Sequence, residues 1–315
     1  MKKILVILFI LFSFHGPICS QSNEILHFSF GEDVSITVDW PAHFLPRKQT
    51  QLILYALPNG NTTEQTMGRK TKDGDDWHFS IQHIAAQTSF VRNKLHNENI
   101  IVVYLENNYK SWPAYKTKHQ NYHELMNALV DTIPQLLHLK KYYYHLNGHS
   151  GGGSLLLAYL QFKKEIPQKI RRISFLDSDY NYDSTYTNKL FSWLKKSTHH
   201  FLTVFAYNDS VVVFNGKPLV SAHGGTWYRS KWMMKELSEH FIFSAIAADS
   251  VMQYAANKGR IHFFLIDNPE GKIFHTMQVE RNGFIHSVLI GTKFENIGYT
   301  YWGKKAYEQY IHPSF

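Results

Sequence analysis

Apolar and polar positions follow two regimes along the chain. Residues 24–30 and 34–40 alternate, so they read as two half-buried strands joined through Gly31-Glu32. Further on, residues 51–57, 99–105, 141–146, 172–176, 201–207 and 260–266 are nearly continuous apolar runs. Runs of that length suit strands covered on both faces. Between them lie segments with helical spacing. Residues 77–95 carry Trp77, Ile81, Ile84, Val91 and Leu95 at that spacing, with Asp75 or Asp76 placed to cap them. Residues 122–137 read as a helix disturbed near Pro134, residues 154–160 and 188–195 as helices, and residues 231–240 as a further helical stretch.

Strands come first, then strand and helix in alternation. That order predicts an α/β fold, a mostly parallel central sheet with helices on both faces. Residues 210–230 interrupt it as a lid-like insertion after the strand ending near Asp209, and Asn215-Gly216 within them is a hairpin signal. The strand of residues 260–266 is the last one expected, and the aromatic C-terminal part should end in a helix packed on the sheet. No repeat, linker or low-complexity segment appears, so residues 21–315 read as one domain.

Residues 1–20 are set apart. Met1-Lys2-Lys3 is positive, residues 4–14 are apolar, and Cys19-Ser20-Gln21 follow. This is the pattern of a secretory signal peptide cleaved after Ser20, which implies export to the periplasm or the exterior. Cys19 is the single cysteine, and Ile18 before it is the wrong residue for a lipoprotein signal. Cleavage after Ser20 leaves no thiol for disulfides, zinc–thiolate sites or a cysteine nucleophile. No later stretch has the length and apolarity of a transmembrane helix. The 315 residues carry a formal net charge of +8, but the positive charges are scattered. No nucleic-acid partner is expected. The oligomeric state is left open.

One stretch carries chemistry. Gly148-His149-Ser150-Gly151-Gly152 follows a strand-like run and precedes a helix-like one. A serine on a sharp strand-to-helix turn sits in a strained conformation, and small neighbours let the two elements pack closely. The following helix points its positive N-terminus at the serine. The bland alternative is a glycine-rich turn that cradles a phosphate.

The elbow in its strand–turn–helix context, together with the element order, resembles the α/β-hydrolase fold. The resemblance covers nearly the whole chain as a pattern, although only the elbow is a specific motif. It implies a serine hydrolase with a triad in the order Ser, acid, His. Ser150 is then the nucleophile. The base should follow the last strand, where His286 sits in a turn-like Asn282-Gly283-Phe284-Ile285-His286-Ser287. His275 is the alternative, but the alternating run 272–279 makes it look like a strand residue. Asp209 holds the usual family position for the acid, and Asp177 or Asp179 the position that some members use. The oxyanion hole is expected from Gly151 and from the loop Pro58-Asn59-Gly60-Asn61, through Gly60 and the amide of Asn59. His223-Gly224-Gly225 looks like an oxyanion phrase but follows the wrong strand, so it reads as part of the lid.

Aromatic residues crowd the expected rim loops. His149, Trp112, Trp227 and Arg229 are the rim candidates, with a sugar or an aryl ester as the matching substrate. The leading reading is an exported serine esterase on small-molecule or polysaccharide-linked esters, with a peptidase or acyltransferase as variants. A non-catalytic glycan-binding protein is the alternative from another class. A metal hydrolase built on Asp177, Asp179 and a histidine has no supporting spacing. No cofactor and no metal are expected.

Overall fold

The structure is a computed structural model that describes residues 23–75, 81–246 and 251–312. The signal-peptide reading of residues 1–20, and the roles given to Asp76 and Trp77, lie outside the described residues.

A ten-stranded sheet organises the chain. Its strands in sequence are β1 (Glu24–Phe30), β2 (Val34–Trp40), β3 (Thr50–Ala56), β4 (Asn99–Asn107), β5 (Tyr142–His149), β6 (Ile170–Leu176) and β7 (Phe201–Tyr207). A two-stranded hairpin, β8 (Val213–Phe214) and β9 (Lys217–Pro218), stands apart. Then β10 (Ser244–Ile246), β11 (Val251–Ala256) and β12 (Ile261–Ile266) complete the sheet. The spatial order is β1-β2-β4-β3-β5-β6-β7-β12-β11-β10. The strands from β4 to β12 run parallel, while β1 and β2 on one edge and β10 and β11 on the other pair antiparallel. Every residue of β3 is buried, as a strand covered on both faces requires.

The helices are α1 (Thr63–Met67), α2 (Ile84–Lys94), α3 (Trp112–Lys118), α4 (Tyr122–Leu136), α5 (Gly153–Phe162), α6 (Thr187–Lys196), α7 (Thr226–Ser238) and α8 (Phe284–Leu289). They cover both faces. Helices α3 to α7 pack Tyr122, Met126, Leu156, Trp193 and Met233 into one core, and α1, α2 and α8 pack Met67, Ile84, Phe284 and Leu289 into the other. Tyr144 at the start of β5 has a local role. Pro134 cannot donate to the carbonyl of Val130 within α4, and the Tyr144 hydroxyl fills that place at 3.0 Å.

Four expectations change. Helix α2 begins at Ile84, and Asp75 pairs with Arg69 at 2.7 Å instead of capping it. The helical stretch expected at 231–240 is α7, which starts five residues earlier at Thr226. Strands β10 and β11 pair antiparallel on the sheet edge where no strand is expected, because β10 is exposed throughout and β11 is half-buried without a clean alternation. The C-terminal part, among the described residues, ends in turns and one 3-10 turn rather than a helix.

Candidate active site

Ser150 stands directly after β5, where the chain leaves the carboxyl ends of the parallel strands. Its φ of 54° is left-handed, a conformation that costs a non-glycine residue about 1–2 kcal/mol. Residues Ser150–Gly152 form one tight turn that runs into α5, so the helix begins at the serine. Crowding explains two of the glycines. A Cβ on Gly153 would meet the Ser178 carbonyl oxygen at 1.6 Å, and one on Gly151 would meet Asn59 Oδ1 at 1.9 Å. The Ser178 hydroxyl donates to the Gly148 carbonyl at 2.9 Å and ties the loop after β6 to the elbow.

A cavity of about 540 Å³ opens over the serine. Ser150, Gly151, Asn59 and His275 line it on the polar side, and Tyr180, Phe214, Leu219 and Ile273 are among the residues that make it apolar. The His275 Nδ1–H donates to the Asp177 carboxylate, a short contact. In the neutral ring that hydrogen bond leaves Nε2 free to accept a proton. Asp177 is fully buried, and its second oxygen accepts the hydroxyl proton of Thr226 in another short contact. His149 lies beneath His275, with ring centroids 4.5 Å apart, and donates through Nε2 to the His275 carbonyl at 3.2 Å. Burial, helped by His275, holds His149 well below the usual histidine range, so it is neutral.

Several expected positions move. His286 is not in this cavity. It sits in α8 on the other core, 2% exposed, with Phe264 at 4.7 Å and Tyr301 stacked at 5.6 Å. Its Nδ1 is 3.0 Å from the Tyr299 hydroxyl, and burial pushes it down to about 3. The turn-like look of its neighbourhood reports a kink at Asn282, with φ 67°, inside a helical segment. His275 is no strand residue but lies in the loop after β12.

Among the described residues, Asp209 meets no histidine. Its carboxylate accepts the backbone N–H of Thr226 at 2.9 Å and so caps α7 from outside the helix. Burial, with the nearby Asp177, raises it to about 6. Asp179 accepts from Ser230 at 2.8 Å, and burial holds it well above the usual carboxylate range. Gly60 donates its N–H to the Lys110 carbonyl at 2.8 Å, which takes it out of the oxyanion role.

Among the rim candidates, Trp112 is 1% exposed and packs in the core on α3, and His149 is buried. Arg229 donates to the Tyr182 carbonyl at 2.9 Å. Trp227 faces a different cavity, beside α7. The insertion contributes Phe214, Leu219 and Val220 to the serine cavity. Among the described residues, no cluster of His, Cys, Asp and Glu has metal-holding geometry. Thr226, which joins Asp177 to Asp209, has no signal in the sequence.

Strand order, crossovers and the strained elbow together define the α/β-hydrolase fold. Among solved structures, a thermostable esterase shares it, with a TM-score of 0.50 and 14% identity over 81% of this chain. This chain spans 59% of that esterase. Weaker likenesses are a feruloyl esterase module from Clostridium thermocellum (TM-score 0.46, 12% identity, 94% of this chain and 88% of the module) and the siderophore hydrolase EstB from Aspergillus nidulans (TM-score 0.45, 15% identity, 87% and 96%). No family model and no curated protein sequence matches the chain.

Proposed function

We propose that the protein is an exported serine hydrolase acting on carboxylic esters, with Ser150 as nucleophile, His275 as general base and Asp177 as the orienting acid. The observation that carries this reading is the His275–Asp177 hydrogen bond beside the left-handed Ser150 in one cavity. In the reaction, the Ser150 Oγ attacks the ester carbonyl carbon while its proton passes to His275 Nε2. Asp177 holds the imidazolium that forms. The Gly151 N–H and the Asn59 amide stabilise the oxyanion, aided by the N-terminus of α5. Collapse of the tetrahedral intermediate expels the alkoxide, which takes the proton from His275. Water, deprotonated by His275, then releases the acid from the acyl-enzyme and restores Ser150.

The aromatic and aliphatic walls support an aryl or short acyl ester. The basic, apolar and small-residue order of residues 1–20 supports export. A fluorophosphonate probe tests the core of the proposal. Wild type should be labelled, Ser150→Ala not at all, and His275→Ala at least a hundredfold more slowly. Equal labelling of Ser150→Ala and wild type would sink it. Turnover of p-nitrophenyl acetate by the same three proteins should follow the same order.

A further inference from the structure

A second cavity, of about 800 Å³, lies beside α7. Its α7 wall carries Trp227, Lys231 and Lys235, spaced four residues apart and so on one stripe of the helix, with Trp232 beside them. Phe243, just before β10, and Tyr254, on β11, line it too. Its size is that of a site for a ligand rather than a packing defect.

Two properties set its chemistry. The first is fixed aromatic surface. The Trp232 indole N–H donates to Glu236 at 2.9 Å, and the Arg229 guanidinium lies 5.3 Å from its ring. The Lys231 ammonium lies 5.2 Å from the Trp227 ring. The second is unmatched positive charge. Among the described residues, no carboxylate lines the groove and neither Lys231 nor Lys235 has an ion-pair partner. Glu236, the one acid within α7, is committed to Tyr182, Ser184, Thr187 and Trp232.

We infer that this groove binds an acidic carbohydrate chain, its sugar faces against the indole rings and its carboxylates on Lys231 and Lys235. A neutral glycan would leave the two ammoniums unmatched, and a simple anion would leave the rings unused. The groove is also tied to the serine cavity. Ser210 at the start of the insertion and Ala222 beyond its β8–β9 hairpin line the groove, while Phe214, Leu219 and Val220 between them line the serine cavity. The insertion is therefore a shared wall, and a chain held in the groove presents a neighbouring ester to Ser150. That last step rests on the hydrolase reading, whereas binding in the groove does not.

The test is a tryptophan-fluorescence titration of the Ser150→Ala protein with tetragalacturonate and, separately, with its methyl ester. The acidic form should bind at least tenfold tighter, and its affinity should fall as salt rises from about 50 to 500 mM. Lys231→Gln/Lys235→Gln and Trp227→Ala should each weaken it at least tenfold, with thermal midpoints showing that both variants are folded. Equal affinity for the two oligomers, no binding up to about 5 mM, or unchanged affinity in folded variants overturns the inference. Binding to phosphatidylglycerol vesicles without binding to the oligomer also overturns it and makes the groove a lipid-facing surface. Intact oligomer binding with no fluorophosphonate labelling of wild type would sink the hydrolase reading alone.

Discussion

Thr226 gives its hydroxyl proton to Asp177 from the first turn of α7, 49 residues away in sequence. The same residue gives its backbone N–H to Asp209. One threonine therefore holds both strand-end carboxylates, and among the described residues only one of them reaches a histidine. A hydroxyl has a single proton to donate. With that proton on Asp177, the 3.4 Å approach of Thr226 Oγ1 to Asp209 adds little while Asp209 is ionised.

Thr226→Val should remove the hydroxyl donor and keep the shape. A hydrogen bond to a buried charged group contributes about 1.5–3 kcal/mol, so kcat on a nitrophenyl ester should fall roughly tenfold to a hundredfold. KM should stay nearly constant, because the hydroxyl faces Asp177 and not the cavity. Thr226→Ser should recover most of the rate. A loss confined to KM would contradict this.

Asp209 gives stability a pH dependence whose sign can be worked out. Its native carboxyl sits at about 6, above the ordinary 3.8. Between those values the native state holds more protons than the unfolded chain, so this group's contribution falls as pH rises through the window and is constant above it. Asp209→Asn keeps an oxygen to accept the Thr226 N–H and removes the titration. Its melting temperature should exceed that of wild type above pH 6, and the gap should close near pH 4. A gap independent of pH would contradict the argument.

The two histidines should separate stability from activity. His286→Ala leaves a hole among Phe264, Tyr299 and Tyr301 and should cost about 2–4 kcal/mol of unfolding free energy, while the folded fraction keeps its probe labelling. His275→Ala should lose labelling at a cost near 1 kcal/mol or less. His286 also predicts acid sensitivity. Burial depresses it to about 3, so the unfolded chain takes up the proton first as pH falls below about 6.5. Its contribution is complete above that value and is lost from about 6.5 toward 3, at up to about 1.4 kcal/mol per pH unit. Urea unfolding of wild type and of His286→Phe at pH 7 and pH 5 checks the slope.

Two elbow glycines should fail differently. The obstacle at Gly151 is the side chain of Asn59, which is exposed and can swing aside. Gly151→Ala should therefore fold and lose rate by about tenfold to a thousandfold through the displaced amide. The obstacle at Gly153 is the backbone carbonyl of Ser178, which cannot move alone. Gly153→Ala should lose at least about 3 kcal/mol or fail to accumulate as soluble protein. Expression level and thermal midpoint of the two variants distinguish the cases.

The parallel strands were legible because burial on both faces leaves one polar residue each, Gln51 and Thr203, in runs such as 51–57 and 201–207. The elbow was legible because close backbone packing admits only glycine around the serine. His275 was not. Its run alternates in the sequence as a strand does, yet in the fold residues 272–277 are exposed or half-buried with no alternation. Asp267-Asn268-Pro269 just before it was the better signal, a turn cluster at the end of β12 that announces a loop. The sequence pattern around His286 could not reveal that an aromatic core receives a neutral imidazole as readily as a hydrocarbon ring. The choice between Asp177 and Asp209 depends on which carboxylate meets a ring 98 residues onward, and no local pattern encodes that distance.

The left-handed backbone at Ser150 makes persistence and turnover compete at a single codon. Glycine there would relieve roughly 1 kcal/mol of strain and remove the proposed nucleophile. A lineage selected only for a long-lived scaffold gains by drifting to glycine at that point, and one selected for chemistry keeps the serine and tolerates a lower melting point. On the hydrolase reading, serine at this one site sets turnover ahead of a longer-lived scaffold.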